Sequence, residues 1–328
     1  MLDYAVIGTS WITRSFIGGT KYVDGMRLAA VYSRSDEKGA ELARENGCER
    51  VFTSLEELAA SDIGAVYIAS PNALHYSQSR LMLESGKHVI CEKPITVTPE
   101  ELLSLQRLAQ QKGLIYMEAI MHMHTPSRGL LRDALGKIGK ITSVHFDFSQ
   151  LSSKYPAYLR GELPNIFNPK MAAGGLMDLG VYCVYPALDF FGEPKKITAS
   201  SHFMESGADG CGTAIFDYED KQVTLTYSKT GQNRYGSQIF GDKGTICIKS
   251  LSQLTEMQIV YSDSSVEALA GDTVKERIMG YEAQDFYNLI VEPSPEMLEA
   301  YKYASSLSLK VSRAMAEIRE QAGIKFSL

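Results

Sequence analysis

Short apolar runs alternate with helical stretches through the first third of the chain. Residues 2–7 read as a strand and 11–20 as a short helix. The next pair is a strand over 27–32 and a helix over 37–46 with apolar Ala40 and Ala43. Residues 51–52 make a brief strand. The helix over 54–60 begins at Ser54, with Glu57 three residues on, the spacing of a capping box. A strand over 65–69 leads into a helix over 74–85, which Gly86 closes from just beyond its last turn. A strand at 88–91, a helix at 98–111 ended by Gly113, and a strand at 114–117 complete the pattern. Strands alternating with helices predict βαβ units on a parallel sheet buried on both faces.

Past residue 120 the rhythm changes. Residues 127–135 read as a helix, 140–149 alternate like an antiparallel strand, and 174–191 have helical packing positions. Strand-like runs follow at 196–203, 213–217, 222–228, 237–241, 245–249 and 257–260, with hairpin turns at Glu219-Asp220-Lys221 and Asp242-Lys243-Gly244. Helices over 281–290 and 295–322 close the chain. A run of strands with few helices predicts a separate α+β domain built on a large, mainly antiparallel open sheet. The expected division is 1–120 and 121–328, with the last helix able to pack back on the first domain.

The 328 residues suit roughly two domains, and 45% hydrophobic with 22% charged residues is ordinary for a globular protein. A net charge of −6 argues against nucleic acid as a partner, because phosphate backbones need a basic face. Cys48, Cys91, Cys183, Cys211 and Cys247 are odd in number and widely spaced, so free thiols in a reducing compartment are expected. The N-terminus runs straight into a strand without a basic leader and an apolar core, and no apolar run looks long enough to span a bilayer. The expectation is a cytoplasmic protein without a membrane partner.

Gly8-Thr9-Ser10-Trp11-Ile12-Thr13 lies between the first strand and the first helix, where a GxGxxG dinucleotide fingerprint belongs. Only the first glycine is present; Ser10 and Thr13 replace the others. A helix N-terminus at this place is a ready anion site, and Ser10 adds a hydroxyl for a phosphate. At the end of the second strand, an NAD-selective site would carry an acid for the ribose hydroxyls. Here Ser33 and Arg34 stand instead, a hydroxyl and a planar guanidinium suited to a 2′-phosphate. NADP is therefore preferred over NAD.

Candidate chemistry sits in two further stretches. Glu92-Lys93-Pro94 places a lysine at the carboxyl end of a parallel strand, where ligands of open α/β sheets bind and where burying a charge without a task is costly. Asp178 and Tyr182 stand one helical turn apart in Gly174-Gly175-Leu176-Met177-Asp178-Leu179-Gly180-Val181-Tyr182. Together with Gly8-Thr9-Ser10, Ser70-Pro71-Asn72 with His75, and Glu118-Ala119, these segments resemble the Gfo/Idh/MocA family of nicotinamide-dependent oxidoreductases. The tyrosine ending is similar to the dihydrodiol and xylose dehydrogenase branch.

The resemblance implies an N-terminal Rossmann domain, a substrate pocket between the domains and a homodimer or higher oligomer through the C-terminal sheet. It implies that Lys93 hydrogen-bonds the substrate oxygen and that Tyr182 exchanges its proton, helped by an ammonium that lowers the phenol's pKa. Asp178 would orient substrate hydroxyls or Lys93, or serve only as a helix-end charge. Asn72 and His75 would lie near the cofactor, with a purely structural histidine as the alternative. Pro71 would shape its turn, and Glu92 and Glu118 would line the nicotinamide pocket or pair with Lys93. Asn165, Phe167 and Asn168 would sit at the mouth of the substrate pocket, with Asn165 binding substrate. His122 and His124 have a spacing that can hold zinc, but nothing else supports a metal. The expected activity is hydride transfer between NADP or NAD and a sugar, polyol or related carbonyl compound. The alternatives are a cofactor-binding sensor without turnover and a glycoside hydrolase that retains its dinucleotide.

Overall fold

The computed structural model describes residues 1–327. The chain forms two compact units, Met1–His124 with Val274–Ser306, and Thr125–Thr273 with Leu307–Leu328. The first segment runs β1 (Leu2–Ile7), α1 (Trp11–Thr20), β2 (Met26–Tyr32), α2 (Asp36–Glu45), β3 (Val51–Phe52), α3 (Leu55–Ala60), β4 (Ala65–Ile68), α4 (His75–Glu84), β5 (His88–Glu92), α5 (Pro99–Lys112) and β6 (Tyr116–Ala119). The sheet order is β3-β2-β1-β4-β5-β6 and every pairing is parallel. The strand order therefore reverses at β1, between β2 and β4, which is where such sheets bind ligands at their carboxyl ends. Residues of β4 and β6 are buried throughout, as strands covered on both faces must be. Caps fix the helix ends: Thr98 and Glu101 form a reciprocal capping box on α5, and Gly113 ends it in the left-handed region at φ 65°.

The second segment runs α6 (Ser127–Leu135), β7 (Ile141–Ser149), α7 (Tyr155–Leu159), α8 (Val181–Phe191), β8 (Lys196–Phe203), β9 (Asp209–Asp217), β10 (Gln222–Ser228), β11 (Ser237–Gly241), β12 (Gly244–Ser250), β13 (Thr255–Tyr261) and β14 (Val266–Leu269). These strands make one sheet in the order β14-β13-β12-β11-β7-β10-β9-β8. It is antiparallel except at its centre, where β7 runs parallel to β10 and antiparallel to β11. The expectation of a plainly antiparallel β7 is thus corrected. Its alternation reports one buried face, carried by Val144 and Phe146, and says nothing about neighbour direction. The edge strand β14 escapes sequence detection because Val266 and Ala268 on it are exposed.

A single turn of π-helix, Leu176–Gly180, leads directly into α8. The stretch Pro169–Phe191 is long and apolar enough to cross a bilayer, with a mean hydropathy of 1.3, where none was expected from the sequence. Its most apolar window is 89% buried inside the protein, the condition of a core helix.

Two helices close the chain. α9 (Lys275–Val291) belongs to the first unit and packs on α1 through a core that includes Phe16, Ile17, Ile278, Met279, Ala283 and Phe286. α10 (Pro295–Ala322) contributes to both units, with the change at Ser306. Within the first core, Phe16 stacks on Tyr67 at a centroid distance of 3.8 Å.

Candidate functional site

In the first unit the loop after β1 is shaped by Gly8, whose φ is 113° and where a Cβ would come 2.7 Å from the carbonyl oxygen of Ala69 at the end of β4. No other residue fits there without moving the backbone. Ser10 stands at the N-cap of α1 but its side chain caps nothing; its Oγ lies 3.4 Å from Oγ1 of Thr13. The first intrahelical bond is Arg14 N–H to Ser10 O, 3.2 Å, so the amides before it are left for an anion. Thr9 is half-buried, Ile12 packs against the core, and Trp11 is 65% exposed beneath the Lys275 ammonium, 3.8 Å from the ring centroid. Burial pushes the Lys275 pKa down, and the charge of Glu92 opposes that. At the end of β2, buried Ser33 accepts a hydrogen bond from Ser35 N–H (3.2 Å), Ser35 caps α2, and Arg34 is exposed. The glycine cradle, the uncapped helix start and the acid-free β2 end fit a dinucleotide.

The carboxyl ends of β4 and β5 are tied together by His75. Its Nδ1 lies 2.9 Å from Pro94 O and its Nε2 2.9 Å from Ser70 O, and the ring is 1% exposed. Burial lowers its pKa, and a neutral ring donates to only one of these carbonyls. The ring lies between these two carbonyls, the placement of the structural alternative. Ser70 donates to Gln78 (2.6 Å), and Pro71 precedes the short 3₁₀ turn that begins at Asn72. The Lys93-Pro94 peptide is cis. Glu92 accepts from the Tyr67 hydroxyl (2.6 Å) and from Lys93 N–H (3.2 Å), while Glu118 accepts from Ile95 N–H (3.0 Å). Both carboxylates thus clamp the backbone that carries Lys93. Burial raises the Glu92 pKa against the pull of Lys93 and Tyr67. Glu282 of α9, missed in the sequence, is fully buried with neither oxygen hydrogen-bonded, and burial followed by the charge of Glu92 raises its pKa far.

The second unit carries Asp178 and Tyr182. The π-helical turn begins at Leu176, whose N–H donates to Asp209 (2.7 Å). Asp209 Oδ1 fills the space that a Cβ on Gly174 would need, which accounts for that glycine. Burial pushes the Asp209 carboxyl up to about 7, opposed by the Leu176 amide and by Lys229. The Asp178 carboxylate forms an ion pair with Lys229, whose side chain is 6% exposed. Asp178 stands in the first turn of the helical segment and pairs with Lys229, while the buried acid that accepts from the Leu176 amide is Asp209. Tyr182 is buried, with its ring edge-on to Phe148 at 5.2 Å. Pro186, inside α8, cannot donate to the carbonyl of Tyr182 four residues earlier. Lys229 and Asp209 lie at the end of β10 and the start of β9, and no local motif marks them.

Three expected pocket-mouth residues separate. Asn165 is exposed, Asn168 accepts from Lys170 N–H (3.0 Å), and Phe167 is fully buried against Tyr155 and Tyr158. Phe167 is thus a core residue and not a pocket lip. His124 pairs with Asp285 at 2.8 Å, His122 is fully buried, and no group of three or more metal-ligating side chains forms among the described residues.

A profile described as "Oxidoreductase family, NAD-binding Rossmann fold" matches residues 2–120, and one described as "GFO/IDH/MocA C-terminal domain" matches 133–247. The chain is 38% identical over 327 residues to the scyllo-inositol 2-dehydrogenase (NADP(+)) IolU of Bacillus subtilis, covering 99% of this chain and 98% of that one. It is 29% identical over 239 residues to the mouse trans-1,2-dihydrobenzene-1,2-diol dehydrogenase, covering 71% and 69%. The crystal structure of KijD10, a 3-ketoreductase from Actinomadura kijaniata with NADP and TDP-benzene, superposes with a TM-score of 0.84 at 21% identity over 98% of both chains. With two profiles in succession and a full-length relative, the chain belongs to the Gfo/Idh/MocA family of oxidoreductases.

Proposed function

We propose that the protein is an NADP-preferring dehydrogenase of neutral polyols or sugars, with cyclic polyols such as scyllo-inositol as first candidates. One observation carries the reading: a lysine stands at the carboxyl end of β5, its backbone clamped by two buried carboxylates, on the sheet edge that also presents the dinucleotide cradle. Bound nicotinamide supplies or takes up the hydride. The Lys93 ammonium hydrogen-bonds the substrate oxygen and stabilises its alkoxide character as hydride leaves carbon. The family resemblance gives Tyr182 the exchange of a substrate proton and Asp178 the acceptance of a hydrogen bond from a substrate hydroxyl. Gly8 to Ile12 receive the diphosphate, Ser33 and Arg34 the 2′-phosphate, and Asn72, Glu92 and Glu118 shape the nicotinamide end. The full-length similarity to an NADP-dependent inositol dehydrogenase supports both the cofactor and the substrate class.

We also propose a homodimer or larger assembly through the eight-stranded sheet, supported by exposed Phe203, Ile215 and Val266 on β8, β9 and β14. Work in the cytoplasm fits five free thiols.

The test is a panel of inositols, pentoses and hexoses with NADP⁺ and NAD⁺, following reduced nicotinamide by absorbance. Turnover of a polyol, with Lys93→Met slower by about 10²-fold or more, is the expected result for a lost electrostatic partner. NADPH binding without turnover of any panel member sinks the polyol reading.

A further inference from the structure

The second unit contains a buried lysine that none of the proposed roles uses. Lys229 follows β10 directly. Its N–H donates to Gly210 O (2.8 Å) and its carbonyl accepts from Ser152 N–H (2.9 Å), so its backbone is fixed on both sides. Its ammonium is almost wholly removed from water. A buried ammonium needs charged or hydrogen-bonding partners to offset its desolvation. Two carboxylates serve it. Asp178, a quarter exposed, is the direct ion-pair partner. Asp209, behind it, is held at the helix start by the Leu176 amide and feels the charge of Lys229.

We propose that Lys229 is a positioning residue for the reaction, holding Asp178 as a carboxylate in one orientation so that it accepts a substrate hydroxyl. The proposal rests on the reading of Asp178 as a substrate-binding group. The physical reason is asymmetry. Asp178 and Asp209 are two acids around one ammonium. Without that ammonium, Asp178 loses its direct ion-pair partner while three quarters of its side chain stays out of water. Its protonated form is then favoured, and a protonated carboxyl is a poor acceptor. The remaining ionisable groups on elements packed against this turn are His145 and Asp147 of β7, Cys211 and Asp217 of β9, Tyr227 of β10, and Tyr182, Cys183, Tyr185 and Asp189 of α8. Burial pushes Cys183 and Tyr227 up, so both stay neutral through the working range. Asp189 is engaged by Arg128 and Arg132.

The experiment compares Lys229→Met, Lys229→Gln and Lys229→Arg in the full chain, with whichever polyol the wild type oxidises. It measures kcat and KM across pH, together with NADPH affinity by fluorescence. For Lys229→Met we expect the polyol KM to rise tenfold or more, and the acid limb of kcat/KM to move to higher pH. NADPH affinity should stay within twofold, and Lys229→Arg should recover most of the loss. Should Lys229→Met fail to fold, Lys229→Gln decides, since it keeps a donor for Asp178 and loses only the charge; the same shift of the acid limb is expected. Unchanged polyol KM and acid limb in the folded variants overturn the proposal while leaving the polyol reading intact. So does an equal fall in every property that arginine does not restore, which marks a purely structural lysine. A wild type that oxidises no polyol overturns the polyol reading, and this role with it.

Discussion

Arg34 is the residue to which we assign the proposed preference for NADP. It is exposed beside a β2–α2 turn stiffened by two serine hydroxyls, and no acid stands at that strand end to hold ribose hydroxyls. A guanidinium bonded to a phosphate contributes about 1.5–3 kcal/mol. Arg34→Ala is therefore expected to weaken NADPH binding by about 10–100-fold while leaving NADH within a factor of two, as read by nicotinamide fluorescence. Equal weakening of both cofactors would remove Arg34 from the 2′-phosphate. Such residues are legible because they sit at fixed offsets from a strand end: Gly8 after β1, Ser33 and Arg34 after β2, Lys93 after β5. Asp178 and Tyr182 are legible because one helical turn separates them. Lys229 and Asp209 are not legible, since each meets its partners across long stretches of chain, and nothing local marks Glu282 as buried. His75 was visible but ambiguous, and only its two carbonyl neighbours show that it fastens the site.

Among the elements, α9 carries an unusual feature into the first core, the Glu282 carboxyl. Buried without a hydrogen bond, it is held protonated in the folded chain and ionises on unfolding above the ordinary carboxyl range. The sign follows from the raised pKa: its stabilising share is complete below the unfolded value of 4.5 and declines as pH rises toward the folded value. Glu282→Gln, close to isosteric and always neutral, should match wild-type stability near pH 5 and exceed it increasingly toward pH 9. Thermal melting of the two proteins across that range checks this; a parallel pH dependence would mean that Glu282 is charged in the fold. Helix ends were readable from caps, as Thr98, Glu101 and Gly113 on α5 show. The parallel β7–β10 pairing was not, because alternation carries no strand direction, nor was the π-helical turn before α8, because a single turn is too short to shift the period of the helix it joins.

At the scale of the whole molecule, the change of rhythm near residue 120 marks where strand–helix alternation gives way to the long sheet. What periodicity does not carry is the return of Val274–Ser306 to the first unit, because no linker composition announces it. Lys275 and Glu282 reach the nucleotide-binding unit only through this return. The exposed apolar side chains on the sheet lead us to expect an assembly of at least twice the 36.2 kDa chain mass by light scattering. A monomer at working concentration contradicts that assembly. The central claim is hydride transfer from a polyol to nicotinamide with Lys93 as the polarising group. It is tested most directly by incubating the protein with NADP⁺ and scyllo-inositol deuterated on its ring carbons, then analysing the cofactor by mass spectrometry. The account predicts deuterium in the reduced nicotinamide with the wild type and little or none with Lys93→Met. Undeuterated cofactor with a wild type that binds NADP⁺, for this and the other deuterated polyols, would contradict it.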